Sequence, residues 1–236
     1  MPRISIEKSR GLSVAQKESA KATDQIVEKI FASGGVGDAS LHGGLAGWRC
    51  YNSGRYSADA DLYSMQPEIK GSLEPLLGQV GLVFRNFRDT GNVIFATVVQ
   101  IGSKKIEVGL EFMRQPMPAG TIITDYTKYD GSTMSILALS PYALAKEKIT
   151  AYGKRKEIRD IYDVFHLCTR VMVKEDDPAA REGFVSDSSL KSELTHLLNH
   201  LDQPVNESDL GKRLYGVKSP PSFDHMARAL IKLTRE

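Results

Sequence analysis

The stretch from Leu41 to Leu62 reads LHGGLAGWRCYNSGRYSADADL and sets the terms for the rest of the chain. A short apolar run ends in the Gly43-Gly44 turn, Arg55 and Ser57 follow, and Asp59 and Asp61 then alternate with Ala58, Ala60 and Leu62. That alternation has the period of a β-strand. Both carboxylates therefore face one way, with their Cα atoms roughly 6.5–7 Å apart. Aspartate is disfavoured inside strands, so a pair in one strand needs a reason. Two ionised carboxylates about 5 Å apart repel by roughly 3 kcal/mol at an effective dielectric of about 20. A divalent cation between them turns that cost into binding. Magnesium takes one or two carboxylates together with phosphate oxygens, and a glycine turn offers backbone N–H groups to phosphate. These are the parts of a phosphoryl- or nucleotidyl-transfer site.

Before this stretch, Ser13 is a plausible N-cap for a helix over residues 13–32, with Ile26, Ile30 and Phe31 at helical spacing. The cluster SGGVGD at 33–38 ends it, and Ala39 to His42 reads as a short buried strand. No Gly-Lys-Ser/Thr follows these glycines, so they are not a Walker loop. After the acidic strand, Pro67 to Leu77 suits a helix with proline in its first turn. Strands are expected over 82–87, 93–101 and 105–113, the first two joined by the hairpin turn Asp89-Thr90-Gly91-Asn92. In the third, Ile106, Val108, Leu110 and Phe112 alternate with Glu107, Gly109 and Glu111. A short strand at Ile122-Ile123 and another over 134–139 complete the β-rich half.

From Ser140-Pro141 onward the pattern is helical, with helices expected to about Tyr152, over 155–173, 188–201 and 222–235, and a polar loop at 174–187. The fold class is α+β, with an α/β part over 1–140 and a helical part over 141–236.

The chain has 236 residues, 41% hydrophobic and 25% charged, with a net charge of +2. These are ordinary values for a globular protein, and the small charge does not argue for nucleic acid. Cys50 and Cys168 lie far apart, which fits a reducing, cytoplasmic setting rather than a disulfide framework. No apolar run reaches the roughly 18 residues of a membrane helix, so no membrane partner is expected.

A third carboxylate from a neighbouring strand commonly joins such a pair. Glu107 is the first choice and Glu111, on the same face, the second. Arg55 and Ser57 are placed to touch phosphates, the arginine through its fixed fork of donors. Further on, Ala145, Lys148 and Tyr152 share one helical face, from which Lys148 can reach a phosphate across a cleft. Arg159, Asp160 and Asp163 read as ion-pair formers between helices. The basic residues Lys146, Lys148, Lys154, Arg155, Lys156 and Arg159 suit either an RNA acceptor or a solvated face. His196 and His200, as HLLNH, lack the glutamate of a zinc protease.

Two blocks together resemble the AbiEii/AbiGii toxin family of nucleotidyltransferases. One is Leu41-His42-Gly43-Gly44, then Arg55-Tyr56-Ser57, then Asp59-Ala60-Asp61. The other is Pro141, Lys148, Arg155 and Arg159-Asp160-Ile161-Tyr162-Asp163. The resemblance implies a polymerase-β-like nucleotidyltransferase core with a mixed sheet, followed by a helical domain closing the nucleotide cleft. It implies magnesium (or manganese) held by Asp59, Asp61 and Glu107, and an NTP held by Gly43, Gly44, Arg55, Ser57 and Lys148. The expected acceptor is an RNA (tRNA) or protein hydroxyl, and the expected setting a toxin–antitoxin or phage-defence pair with a cognate antitoxin. Such enzymes usually carry Ser or Thr after Gly-Gly, where this chain has Leu45. That departure motivates the alternative of a degenerate fold that binds a nucleotide or partner without turnover.

Overall fold

The computed structural model describes residues 11–102, 106–172, 188–199, 214 and 221–235. Helix α1 (Val14–Phe31) opens on the capping box read from the sequence: the Ser13 hydroxyl accepts from Gln16 N–H, and the Gln16 side chain accepts from Ser13 N–H. Strand β1 (Ser40–His42) runs straight into α2 (Gly43–Arg49), and β2 (Ala60–Tyr63) carries Asp61. Helix α3 (Ile69–Gly78) begins after Glu68, which puts Pro67 ahead of the cap instead of in the first turn.

Five further strands follow: β3 (Leu82–Asp89), β4 (Val93–Gln100), β5 (Glu107–Met113), β6 (Thr121–Thr127) and β7 (Thr133–Leu139). Strand β6 is longer than its Ile122-Ile123 signal, because it pairs along its whole length with β7, from Thr121 opposite Leu139 to Thr127 opposite Thr133. Together the strands make one mixed sheet in the order β3-β4-β5-β2-β1-β7-β6. Parallel pairs join β2 to β5 and β1 to β7, and the other neighbours are antiparallel. Helices on a mixed sheet give the α+β class expected from the sequence.

Val108, Leu110 and Phe112 of β5 point into the core with Ile94, Ala96 and Val98 of β4. Helices α1 and α3 pack over this part of the sheet, α1 against β5 and α3 against β3. The opposite face at β3, β4, β5 and β2 is left open. Thr23 of α1 donates to the Ala58 carbonyl and so fixes the chain one residue before Asp59.

Helix α4 (Pro141–Arg155) is capped by Ser140, whose hydroxyl accepts from Ala143 N–H. It ends where Lys156 adopts a left-handed backbone, φ 53°, and returns its N–H to the Tyr152 carbonyl. Beyond it come α5 (Ile158–His166), six residues of π-helix (Leu167–Met172), α6 (Ser188–Asn199) and α7 (Phe223–Arg235). The two helices expected here are both present, but the first runs past Tyr152 to Arg155, the second starts at Ile158, and hydrogen-bond register changes at Leu167. The loop expected at 174–187 and the residue His200 lie outside the described residues. None of the described helices is long and apolar enough to cross a membrane.

Candidate active site

Gly43 begins α2 with φ +69°, a conformation that L side chains rarely adopt, and a Cβ there would collide with Asp61 Oδ2. A Cβ on Gly44 would strike the Ser57 hydroxyl and the Arg55 guanidinium. Only glycine lets the turn lie this close to three site side chains. Because α2 starts here, these amides belong to its first turn, where N–H groups have no acceptor within the helix.

Strand register lines up the acids. Asp61 lies opposite His42 of β1 on one side and opposite Glu111 of β5 on the other. Glu111 lies opposite Phe95 of β4, and Phe95 opposite Arg88 of β3. These five residues form one row across five strands. One pleat along, Asp59 accepts from Gly109 N–H at 3.0 Å. An open cleft follows the two rows, lined by Asp59, Asp61 and Glu111 with Asn86, Arg88, Phe95 and Thr97.

Glu107 stands apart. It is opposite Val99, is exposed, and pairs with Arg85 at 2.9 Å. The parity that put it on the acidic face is correct, but the β2–β5 register brings Glu111, not Glu107, beside Asp61.

Arg55 is buried and clamped in bidentate fashion by Asp163 of α5, with Nε to Oδ1 at 2.8 Å and Nη2 to Oδ2 at 2.7 Å. Lys148 of α4 is also buried, its Nζ 3.8 Å from Asp163 Oδ2. Burial alone would raise the Asp163 pKa, but the Arg55 guanidinium, its hydrogen bonds and Lys148 outweigh it and hold the acid below the ordinary carboxylate range. Arg55 therefore braces the glycine turn against α5, its fork already occupied. Of the helical basic residues, Lys146 pairs with Glu193, Arg155 with Asp160 and Arg159 with Glu157.

Asp61 is partly buried, and among the described residues its carboxylate accepts no hydrogen bond and forms no ion pair. Burial pushes its pKa up, aided by the charges of Glu147 and Asp59 and opposed by His42 and Lys148. Burial and the Asp61 charge raise Glu111 in the same way. Among the described residues no three potential ligands draw together tightly enough to enclose an ion. The donor set is all oxygen, carries surplus negative charge and includes no direct ion pair to Asp61 among the described residues. That fits magnesium or manganese, which complete their coordination with phosphate and water instead of a protein cage.

A family model, described as "Nucleotidyl transferase AbiEii toxin, Type IV TA system", matches residues 27–234. The chain belongs to the AbiEii nucleotidyltransferase toxin family. It is thus an enzyme of the toxin nucleotidyltransferase type, and membership implies an NTP substrate and a cognate antitoxin. Solved structures share the fold. A candidate nucleotidyltransferase from H. pylori superposes with a TM-score of 0.60 at 15% identity, covering 95% of each chain. JHP933 from Helicobacter pylori gives 0.58 at 17%, over 95% of this chain and 92% of its own. MenT4, a nucleotidyltransferase toxin from Mycobacterium tuberculosis H37Rv, gives 0.54 at 19%, over 94% and 80%. No curated protein matches the chain.

Against the AbiEii pattern, the departure at Leu45 has a structural meaning. Leu45 is fully buried in the core, and the hydroxyl against Gly44 belongs to Ser57. Sequence reasoning missed a second cluster beside Asp61. His42 stacks on Tyr63 with ring centroids 3.9 Å apart, and its Nδ1–H donates to Glu147 of α4 at 3.0 Å. Tyr63 donates to the same carboxylate oxygen at 3.3 Å. His42 Nε2 is buried with no partner among the described residues. The available signal was His42 itself, one residue before the glycine turn.

Proposed function

We propose that this AbiEii-family enzyme transfers a nucleoside monophosphate from an NTP to an acceptor hydroxyl, with Asp59, Asp61 and Glu111 holding magnesium or manganese. The observation that carries the reading is the partly buried Asp61 carboxylate, with no direct ion pair among the described residues, flanked by two further acids and packed over the Gly43-Gly44 turn. A bound divalent ion supplies Lewis-acid charge at the reacting phosphate. Gly43 and Gly44 amides, the Ser57 hydroxyl and Lys148 hold the triphosphate, while Arg55 keeps the turn in place through Asp163. The acceptor oxygen forms a bond to the α-phosphorus as the bond to the β-phosphate oxygen breaks. Pyrophosphate leaves, and the acceptor proton passes to solvent or to a site carboxylate. The helical part over 141–236 supplies Lys148 and walls the nucleotide side of the cleft, against α2 and β7 of the α/β part over 1–140.

The acceptor is an RNA, with tRNA the natural first choice, or a protein hydroxyl, and modification of either stops growth until the antitoxin acts. Incubation with each α-labelled NTP, magnesium or manganese, and total RNA or lysate protein tests the reading. Label transfer that Asp59→Ala abolishes is expected. Absence of transfer under every condition, with NTP binding intact by calorimetry, would establish the non-catalytic binding module instead. Transfer from the γ-labelled NTP would identify a kinase. In cells, growth arrest on expression, relieved by the product of an adjacent gene, tests the toxin role and its extension to phage defence.

A further inference from the structure

We propose that the ribbon formed by β3 and β4 is the acceptor platform: the Phe95 ring stacks on an unpaired base at the end of an RNA acceptor, and Arg88 pairs with the adjoining phosphate. The inference deepens the nucleotidyl-transfer reading and rests on it.

In-line displacement puts the attacking and leaving oxygens on opposite sides of the phosphorus. The groups assigned to the triphosphate, Gly43, Gly44, Ser57 and Lys148, lie on the β1, α2 and α4 side of Asp61. The acceptor must then approach from the other side, over Glu111 and along β4 and β3. The row found there is Glu111, Phe95, Arg88.

Phe95 sits mid-strand on the open face of the sheet with 41% of its surface exposed. This large aromatic is displayed beside the three carboxylates of the cleft and takes no part in the hydrophobic core. Arg88 lies over its ring, Cζ 5.6 Å from the centroid, and has no carboxylate partner among the described residues. Asn86 and Thr97, opposite each other one row away, add side-chain donors and acceptors to the same cleft. An aromatic face with an adjoining unpaired guanidinium is the equipment of single-stranded nucleic-acid binding, where stacking gives affinity and cationic groups follow the backbone. The basic helical residues offer less, because three of them are committed to carboxylates.

Fluorescence anisotropy with a 5′-labelled RNA hairpin carrying a short unpaired 3′ tail, and with the same hairpin blunt-ended, tests the platform in magnesium without NTP. Wild type should bind the tailed RNA about tenfold or more tighter than the blunt one. Phe95→Ala should erase that preference and Phe95→Trp should keep it. Arg88→Ala should weaken both RNAs and flatten the salt dependence. Unchanged thermal midpoints will show that these exposed substitutions leave the fold intact. Equal affinity of Phe95→Ala and wild type for the tailed RNA overturns the proposal. So does α-label transfer to protein in the absence of RNA binding. Since no NTP is present, Phe95-dependent binding by a protein that transfers no nucleotide would refute the catalytic reading alone. Transfer to RNA with an unaltered acceptor KM in Phe95→Ala would refute the platform alone.

Discussion

Asp61 and Glu111 occupy matching positions on adjacent parallel strands, and after burial the Asp61 charge is the main influence raising the Glu111 pKa. The two acids act as one electrostatic unit. Glu111→Gln should lower nucleotidyl transfer on the order of a hundredfold or more. Glu107→Gln should stay within about threefold of wild type, because it breaks only an exposed ion pair. Initial rates of α-label transfer for the two variants decide between them. The reverse ranking would restore Glu107 as the third acid.

The raised pKa of Asp61 has a sign. A carboxyl whose folded pKa lies above its unfolded value contributes stability that is fully present below the unfolded value, near 4, and lost as pH rises through the folded value. Metal-free Asp61→Asn should therefore melt above the metal-free wild type at neutral pH. That advantage should shrink as pH falls toward about 4. Added magnesium should raise the wild-type midpoint more than that of the variant. Thermal melts across pH, with and without chelator, measure all three effects.

Asp163 works in the opposite direction. Its depressed pKa contributes stability that is present above the unfolded carboxylate value and is lost as pH falls through the folded one, in the region below about 4. Asp163→Asn leaves Arg55 buried without its counter-charge and should cost about 3–5 kcal/mol. The pair Arg55→Met with Asp163→Leu should recover much of that loss. Urea denaturation of Arg55→Met, Asp163→Leu and the double gives the coupling energy.

Replacing Leu45 by Thr writes the commoner family residue into the motif. Since Leu45 is fully buried, the change should cost about 1–3 kcal/mol and bring no gain in NTP affinity. Ser57→Ala should instead weaken NTP binding about tenfold, the scale of a hydrogen bond to a charged group. Calorimetric titration of NTP into both variants is the measurement, and tighter binding by Leu45→Thr would contradict this account.

For Lys148, an ammonium set 3.8 Å from Asp163 in a buried position, Lys148→Met should lower kcat/KM for NTP on the order of a hundredfold. Lys148→Arg should not restore it, because the planar fork has neither the length nor the shape of the flexible stem. Steady-state kinetics with varied NTP tests both.

What the sequence disclosed was local. Gly43-Gly44, Asp59 and Asp61 fall within one 22-residue stretch, and strand periodicity alone puts the two acids on one face. Choosing between Glu107 and Glu111 required the register of β2 on β5, and parity cannot separate residues four apart on one face. Arg55 and Asp163 are 108 positions apart, and His42 and Glu147 are 105 apart. Neither contact leaves a periodic trace. The break between α4 and α5 is expected from the sequence, but near Tyr152; it falls later because a lysine, Lys156, takes the left-handed cap that glycine usually advertises. The two-block resemblance supplied what locality could not, the link between the acidic strand and the Lys148 helix.

The row from His42 to Arg88 is held by the backbone ladders alone, and this makes the enzyme's chemistry sensitive to the reading position of a strand. Sliding β5 by one residue would present Leu110 or Phe112 to Asp61 and turn Glu111 into the core. A single-residue insertion within β5 would therefore disarm the protein while leaving every functional side chain in its sequence. The same insertion at the exposed Thr90-Gly91 turn between β3 and β4 would pass almost unnoticed. For a toxin gene, this is a map of where inactivating indels should accumulate.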